Sequence, residues 1–195
     1  MKEFELAEYH GVEFRGLDFS LAKLPALEFQ DCLFSGCTFE ETVLSNCQFD
    51  DCMFENCLLS KVGLDHSRLL DIDFSGCKIV GANFHRCDQS RFDFAFEKCI
   101  LLACNFSDIA MKRSSFVSCE IKDSWFQNSH LEECDFSGSS FSNTVFHKTN
   151  LRKASFLGAR GYSIDPRNNE IAKAVFSFPA VLGLVESFDI VIRNG

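Results

Sequence analysis

Large apolar residues recur along this chain at every fifth position. From Phe4 to Phe84 all seventeen such positions are large and apolar, as in Phe29, Phe34, Phe39, Leu44, Phe49 and Phe54. The series resumes at Phe96 and holds at all thirteen positions from there to Phe156. With 46% hydrophobic residues, thirty consecutive hits have a chance probability on the order of 10^-10. A period of five matches neither the 3.6 of a helix nor the 2 of a strand, so the chain must turn a corner at each step. A second column, two residues before each centre, holds small side chains such as Cys32, Cys37, Thr42, Ser114 and Ala154. A bulky centre and a compact neighbour therefore share the interior of each step.

All eleven cysteines fall in this small column, including Cys87, which precedes the single failed centre, Gln89. Buried cysteine packs as a small hydrophobe, and no C-x2-C or Cys/His zinc spacing occurs. The cysteines are expected to be structural thiols, although pairs twenty apart, such as Cys32 with Cys52, lie within disulfide reach if coils stack. The two columns, with turn sequences such as Asp-Phe-Ser-Gly at 73–76 and 135–138, resemble the pentapeptide-repeat family over residues 4–156. That resemblance implies an all-β fold, a right-handed quadrilateral parallel β-helix with four steps per coil. About eight coils, at roughly 4.8 Å each, would make a shaft about 38 Å long.

Two departures divide the chain into a repeat unit, 1–156, and a terminal unit, 157–195. Between Phe84 and Phe96 the spacing is twelve rather than ten, a phase break over 85–95. Either the insertion is simply accommodated, or Gln89, Ser90, Arg91 and Phe92 form a protruding contact loop. Beyond Phe156 a turn-rich stretch leads to one more step at Ala174 and Phe176. Ser177 suits a helix N-cap and Pro179 the first turn, and Phe178, Val181, Leu182, Val185 and Phe188 follow helical spacing. Phe188 to Ile192 reads as a strand. A helix and strand here would cover the raw edge of the last coil. Their apolar excess, with Ile190 and Ile192, points either to a monomeric cap or to a homodimer joined through the C-terminal ends.

The net charge of -9 argues against direct binding to nucleic acid or an anionic membrane. Residues 1–100 carry all of the excess, 18 acidic against 9 basic side chains, whereas 101–195 carry ten of each. No basic and apolar leader opens the sequence and no stretch of 18 apolar residues occurs, so cytoplasmic residence is expected. The five histidines pair with nothing at catalytic or ligand spacing, and no nucleotide-binding, hydrolase or zinc-protease motif is present. The expectation is a protein without enzyme activity, metal or cofactor.

What remains is a charged, regular surface. Between Lys23 and Lys61 there is no Lys, Arg or His, while Glu28, Asp31, Glu40, Glu41, Asp50 and Asp51 all occur. If a coil takes twenty residues, Asp31, Asp51 and Asp71 stack on one face and Glu40 and Glu41 lie opposite. Such columns are either a solvated face or an imitation of the phosphate rows of duplex DNA. The ending, Gly161 to Pro166, Ala174 to Pro179 and Phe188 to Ile190, is similar to that of the DNA-mimicking pentapeptide-repeat proteins of the Qnr, MfpA and albicidin-immunity type. This closer resemblance implies binding to DNA gyrase or topoisomerase IV and resistance or immunity to a quinolone, albicidin or microcin type of antibiotic. It also implies a dimer-building C-terminal cap. The alternative is a generic structural or interaction scaffold. The long protruding loops of some quinolone-protecting members are represented here only by the two-residue phase break.

Overall fold

A computed structural model describes residues 7–88 and 92–188, together with 190, 191 and 193. Each five-residue step supplies one side of a four-sided coil. Its centre points inward and its two neighbours point out, as in Phe34 between the half-buried Leu33 and Ser35. The corner follows two residues after the centre, where the backbone takes the left-handed conformation. Eight glycines and twenty-one other residues hold positive φ among the described residues, so the corner belongs to the step and not to glycine.

We number the faces 1 to 4 from Tyr9 onward. Face 1 is a sheet of Glu8–His10, Glu28–Gln30, Gln48–Asp50 and Arg68–Leu70. Face 2 carries six strands, from Glu13–Arg15 to Ser115–Val117, and a further pair at Ser155–Phe156 and Val175–Phe176. Face 3 carries six, from Thr38–Glu40 to Ser140–Ser142. Face 4 is joined by single bridges such as Val43 with Gly63 and Asn105 with Trp125. All pairings are parallel, and the register is twenty residues, as in Phe34 with Phe54. The result is a parallel β-solenoid.

Nine phenylalanines, from Phe14 to Phe176, form one uninterrupted column behind face 2. Their rings stack at eight spacings of 4.8 to 5.1 Å, giving a shaft of about 40 Å at one strand spacing per coil. Burying each ring contributes about 1.5–3 kcal/mol, with ring pairing adding about 0.5–1.5 kcal/mol.

The small column has a second task that size alone does not reveal. Its thiols and hydroxyls donate to the carbonyl of a centre 23 residues earlier, in the coil below. Cys37 Sγ reaches Phe14 O at 3.3 Å, Thr42 Oγ1 reaches Phe19 O at 2.9 Å and Ser67 Oγ reaches Leu44 O at 2.9 Å. Cysteine, serine and threonine interchange because each is a small donor. The eleven cysteines are buried and free. Burial pushes the thiols of Cys52, Cys87, Cys104 and Cys134 up to about 12, which keeps them protonated and unreactive.

The phase break changes the register from twenty to twenty-two, pairing Ile72 with Phe94, Phe74 with Phe96 and Ile79 with Leu101. Faces 2 and 3 pass through it unbroken, so face 1 absorbs the extra residues, next to a 3-10 turn at Phe84–Arg86. Gln89, Ser90 and Arg91 lie outside the described residues. Phe92 does not join an exposed contact loop. It is 4% exposed and packs on Phe94 with ring centroids 5.3 Å apart, because an aromatic ring gains more by entering the core than by standing in water.

At the C-terminal end Tyr162 and Ile164 enter the core, and Gly183 lies across Tyr162. A Cβ on Gly183 would sit 2.3 Å from the Tyr162 carbonyl oxygen, so glycine is required for that approach. The expected helix is instead two short 3-10 segments, Ala180–Leu184 and Glu186–Phe188. Ser177 does not cap it, since its hydroxyl accepts from the Gly158 N–H at 2.7 Å across the coil. Phe188 belongs to the second of these segments, and Ile190 and Val191 form no strand. Asp189 and Ile192 lie outside the described residues.

Candidate functional site: an acidic edge

The corner between faces 1 and 2 places Asp31, Asp51 and Asp71 above one another at φ of 53°, 51° and 52°. In-register pairing of the flanking strands fixes this stack. Asp31 and Asp51 meet no cation among the described residues. Other acidic corners meet a donor or a cation in the next coil. Asn128 donates to Asp108 at 2.9 Å and Asn143 to Asp123 at 3.0 Å, while Arg113 and Lys153 flank Glu133 at 3.0 and 2.7 Å. Acid on acid gains nothing for the fold.

Sequence stepping missed two members of this cluster. The register of twenty-two carries the column from Asp71 to Asp93, and Asp73 projects from face 2 beside them. Asp51, Asp71, Asp73 and Asp93 line one depression of about 340 Å³. Partial desolvation, and then the negative charges of Asp93 and Asp71, push the Asp73 carboxyl above the ordinary aspartate value. Counting twenty-two instead of twenty across the phase break would have placed Asp93 in the column.

The other predicted acids are less exposed to a partner's charge. Glu28 accepts from Gln48 Nε2 at 3.0 Å, Asp50 pairs with Arg68 at 3.4 Å and Glu41 pairs with Lys61 at 3.1 Å. Glu40 lies across the rod on face 3, where its column continues as Ser60 and Val80. The stacked aspartates thus lie along one edge, with Glu40 and Glu41 on the opposite side of the rod.

Along the axis the charge is uneven. Residues 7–88 carry fourteen acids and six bases over about four coils, or one net negative charge per roughly 2.5 Å at the strand spacing of. Duplex DNA carries one per about 1.7 Å. The later coils of the same edge, with Lys112–Glu132 at 3.2 Å and the Arg113–Glu133–Lys153 ladder, are ion-paired.

The C-terminal residues expected at a dimer interface lie on the outer surface of the last coil. Phe178 is 83% exposed and Ile190 57%, Leu182 and Phe188 are exposed to about 40%, and Val181 and Val185 are half-buried.

Among the described residues there is no group of His, Cys, Asp and Glu fit to hold a metal ion, and no helix is long and apolar enough to cross a membrane. A sequence model of the pentapeptide repeat region matches residues 3–84 and 90–160. The chain belongs to the pentapeptide-repeat family. The matched residues stop and restart at the phase break, and they end where the repeat does.

This pentapeptide-repeat chain is similar in structure to two trypsin-treated variants of QnrB1, a plasmid-mediated fluoroquinolone resistance protein. One matches with a TM-score of 0.63 at 16% identity, over 95% of this chain and 100% of QnrB1. The other matches with a TM-score of 0.62 at 20% identity, over 96% and 92%. HetL, involved in heterocyst differentiation regulation in the cyanobacterium Nostoc, matches with a TM-score of 0.50 at 16% identity, over 87% and 83%. At these identities the likeness shows the shared solenoid. A search of curated protein sequences found no significant match.

Proposed function

We propose that this protein is a DNA mimic that binds DNA gyrase or topoisomerase IV in the cytoplasm and confers resistance or immunity to a gyrase-targeting antibiotic. The observation that carries the reading is the acid-on-acid stack of Asp31 and Asp51, neither of which meets a cation among the described residues, in a rod where acidic corners such as Asp108, Asp123 and Glu133 accept from Asn or are ion-paired. A row of carboxylates at strand spacing, on coils whose net charge per unit length is about two-thirds that of DNA, offers a DNA-binding groove an acidic target. The action is steric and electrostatic, and no bond is made or broken. The resemblance to Qnr-type endings and the shared fold with QnrB1 support the choice of partner. The exposed C-terminal apolar residues support a homodimer, with the acidic coils pointing away from the junction.

Gyrase supercoiling with and without the purified protein tests the reading. Wild type is expected to inhibit at micromolar concentration, and the triple change Asp31→Asn, Asp51→Asn, Asp71→Asn to weaken inhibition at least tenfold. No inhibition by wild type would sink the proposal. A generic interaction scaffold is the competing reading, favoured by the neutral, ion-paired later coils. Stable capture of a different protein, without any effect on supercoiling, would select it.

A further inference from the structure

Gly161 lies against the Phe141 carbonyl, and Gly183 lies in turn against that of Tyr162. The segment Ala180–Phe188 thus continues the stacking of face 3 over the last coil. Tyr162, beneath it, is 3% exposed, and its ring packs on Phe156 and Phe176 with centroids 5.3 and 5.7 Å apart. Its hydroxyl is buried and meets no hydrogen-bond partner, the one buried hydroxyl of which this is true among the described residues. A dehydrated hydroxyl without a partner works against the closed segment. Closure is favoured by Ala180 and Leu184, which pack on the core, and by Arg167. The Arg167 guanidinium donates to the Ser187 carbonyl oxygen at 3.4 Å and lies 4.7 Å from the centre of the Phe188 ring, while Asp165 accepts from it at 2.8 Å. The segment's own backbone bonds close short turns, as from Leu182 N–H to Pro179 O at 3.1 Å, and such turns are weak by themselves.

We propose that Ala180–Phe188 is a lid on the last coil, held shut by Arg167 against the unpaired Tyr162 hydroxyl, and that its closure governs pairing with a second copy. Shut, the lid holds the exposed Leu182 and Phe188 together on the outer surface of the coil. Open, it returns the Tyr162 hydroxyl to water and takes that surface apart. The two opposed contacts leave a small gap between the states, so the lid opens without the coils beneath it. A pairing surface that exists only in the shut state binds more weakly by the fraction of time the lid is open. In naming a second copy we rest on the homodimer of the proposed function, and the lid itself does not depend on it.

The test is amide hydrogen exchange on the full chain in dilute solution. It is followed at Leu182, Val185 and Phe188, whose N–H groups bond within the lid, and at Phe136, whose N–H bonds to Ser155 O in the coils below. In wild type the lid amides are expected to exchange together, at least about tenfold faster than Phe136. Tyr162→Phe removes the unpaired group and keeps the ring, and should slow the lid amides at least about fivefold. Arg167→Gln should speed them by about fivefold or more, and both variants should leave Phe136 within about twofold of wild type. Lid amides that exchange no faster than Phe136, or no more slowly in Tyr162→Phe than in wild type, overturn the lid. Sedimentation then measures pairing, which should tighten in Tyr162→Phe and weaken in Arg167→Gln. Pairing unchanged in both variants, while exchange shifts as expected, overturns the lid's control of association. If wild type stays monomeric at every concentration, the homodimer falls and exchange alone decides the lid.

Discussion

Each residue type in the five-residue step answers to one physical demand, and the demands differ between inside and corner. Inside, the small column requires a compact donor. Cys119 donates to Phe96 O at 3.4 Å, and Ser139, one coil further along the same column, donates to Phe116 O at 2.5 Å. Cys119→Ser is therefore expected to change stability by less than about 1 kcal/mol, and Cys119→Ala to cost more, about 1–2 kcal/mol, for the lost donor and the small void. Urea unfolding of both variants checks this, and equal losses would count against the donor role. At the corner, the backbone wants a residue tolerant of positive φ, and Gly11 already occupies the coil below Asp31. Asp51→Gly should hold or raise stability by up to about 1 kcal/mol, since it removes left-handed strain and carboxylate repulsion. The same change should weaken gyrase inhibition. Stability and inhibition falling together would mean that the aspartate serves the fold.

At the scale of the coil, the five-residue rhythm was almost wholly legible. Centres, small column and corners follow from counting, and so does the stack of Asp31, Asp51 and Asp71. Three things were not. The donor role of the small column needs the direction of the carbonyls, which spacing does not carry. The fate of Phe92 depends on whether the core has room beside Phe94, a question of packing. The C-terminal segment has helical spacing, but its path is set by packing on the last coil, where Gly183 lies against the Tyr162 carbonyl, and spacing does not carry that contact. Phe92→Ala is accordingly expected to cost about 3 kcal/mol or more, where an exposed loop residue would cost about 0.5 kcal/mol or less; chemical denaturation separates the two. The coils also differ in how they answer to pH. Side-chain hydrogen bonds from Lys153 and Arg113 hold the Glu133 carboxyl down at about 2, so its stabilisation is present above the ordinary glutamate range and is lost as pH falls toward 2. Asp73 is shifted the other way, so it opposes folding at neutral pH and ceases to do so once protonated. Glu133→Gln should thus lower the urea midpoint at pH 7 and Asp73→Asn should raise it. Both differences should fade in acid, Asp73→Asn first. Differences of the same sign at pH 7 would refute this assignment of the two carboxyl groups.

For the whole rod, the consequence is an axial division of labour: acidic coils first, ion-paired coils next, and an exposed apolar end at Phe178, Leu182 and Phe188. Joined through that end, two copies would make one continuous rod with a neutral middle and two acidic arms, each able to enter a separate groove. Phe178→Asp should then yield monomers by light scattering at unchanged thermal stability, because Phe178 is 83% exposed in the single chain. It should also weaken inhibition per chain, since the second arm is held near its site only by the first. Salt distinguishes this arrangement from an apolar docking reaction. Charges at a rod surface are screened beyond about 10 Å at 0.1 M ionic strength, and a mimic that relies on its acidic edge must lose affinity as salt rises. Raising salt from 50 to 200 mM should weaken wild-type inhibition by about tenfold or more. The triple Asp31→Asn, Asp51→Asn, Asp71→Asn variant should show a shallower dependence, since fewer charges meet the partner. Equal salt slopes for the two proteins would place the contact elsewhere on the rod, and a salt-independent wild type would assign binding to the apolar end.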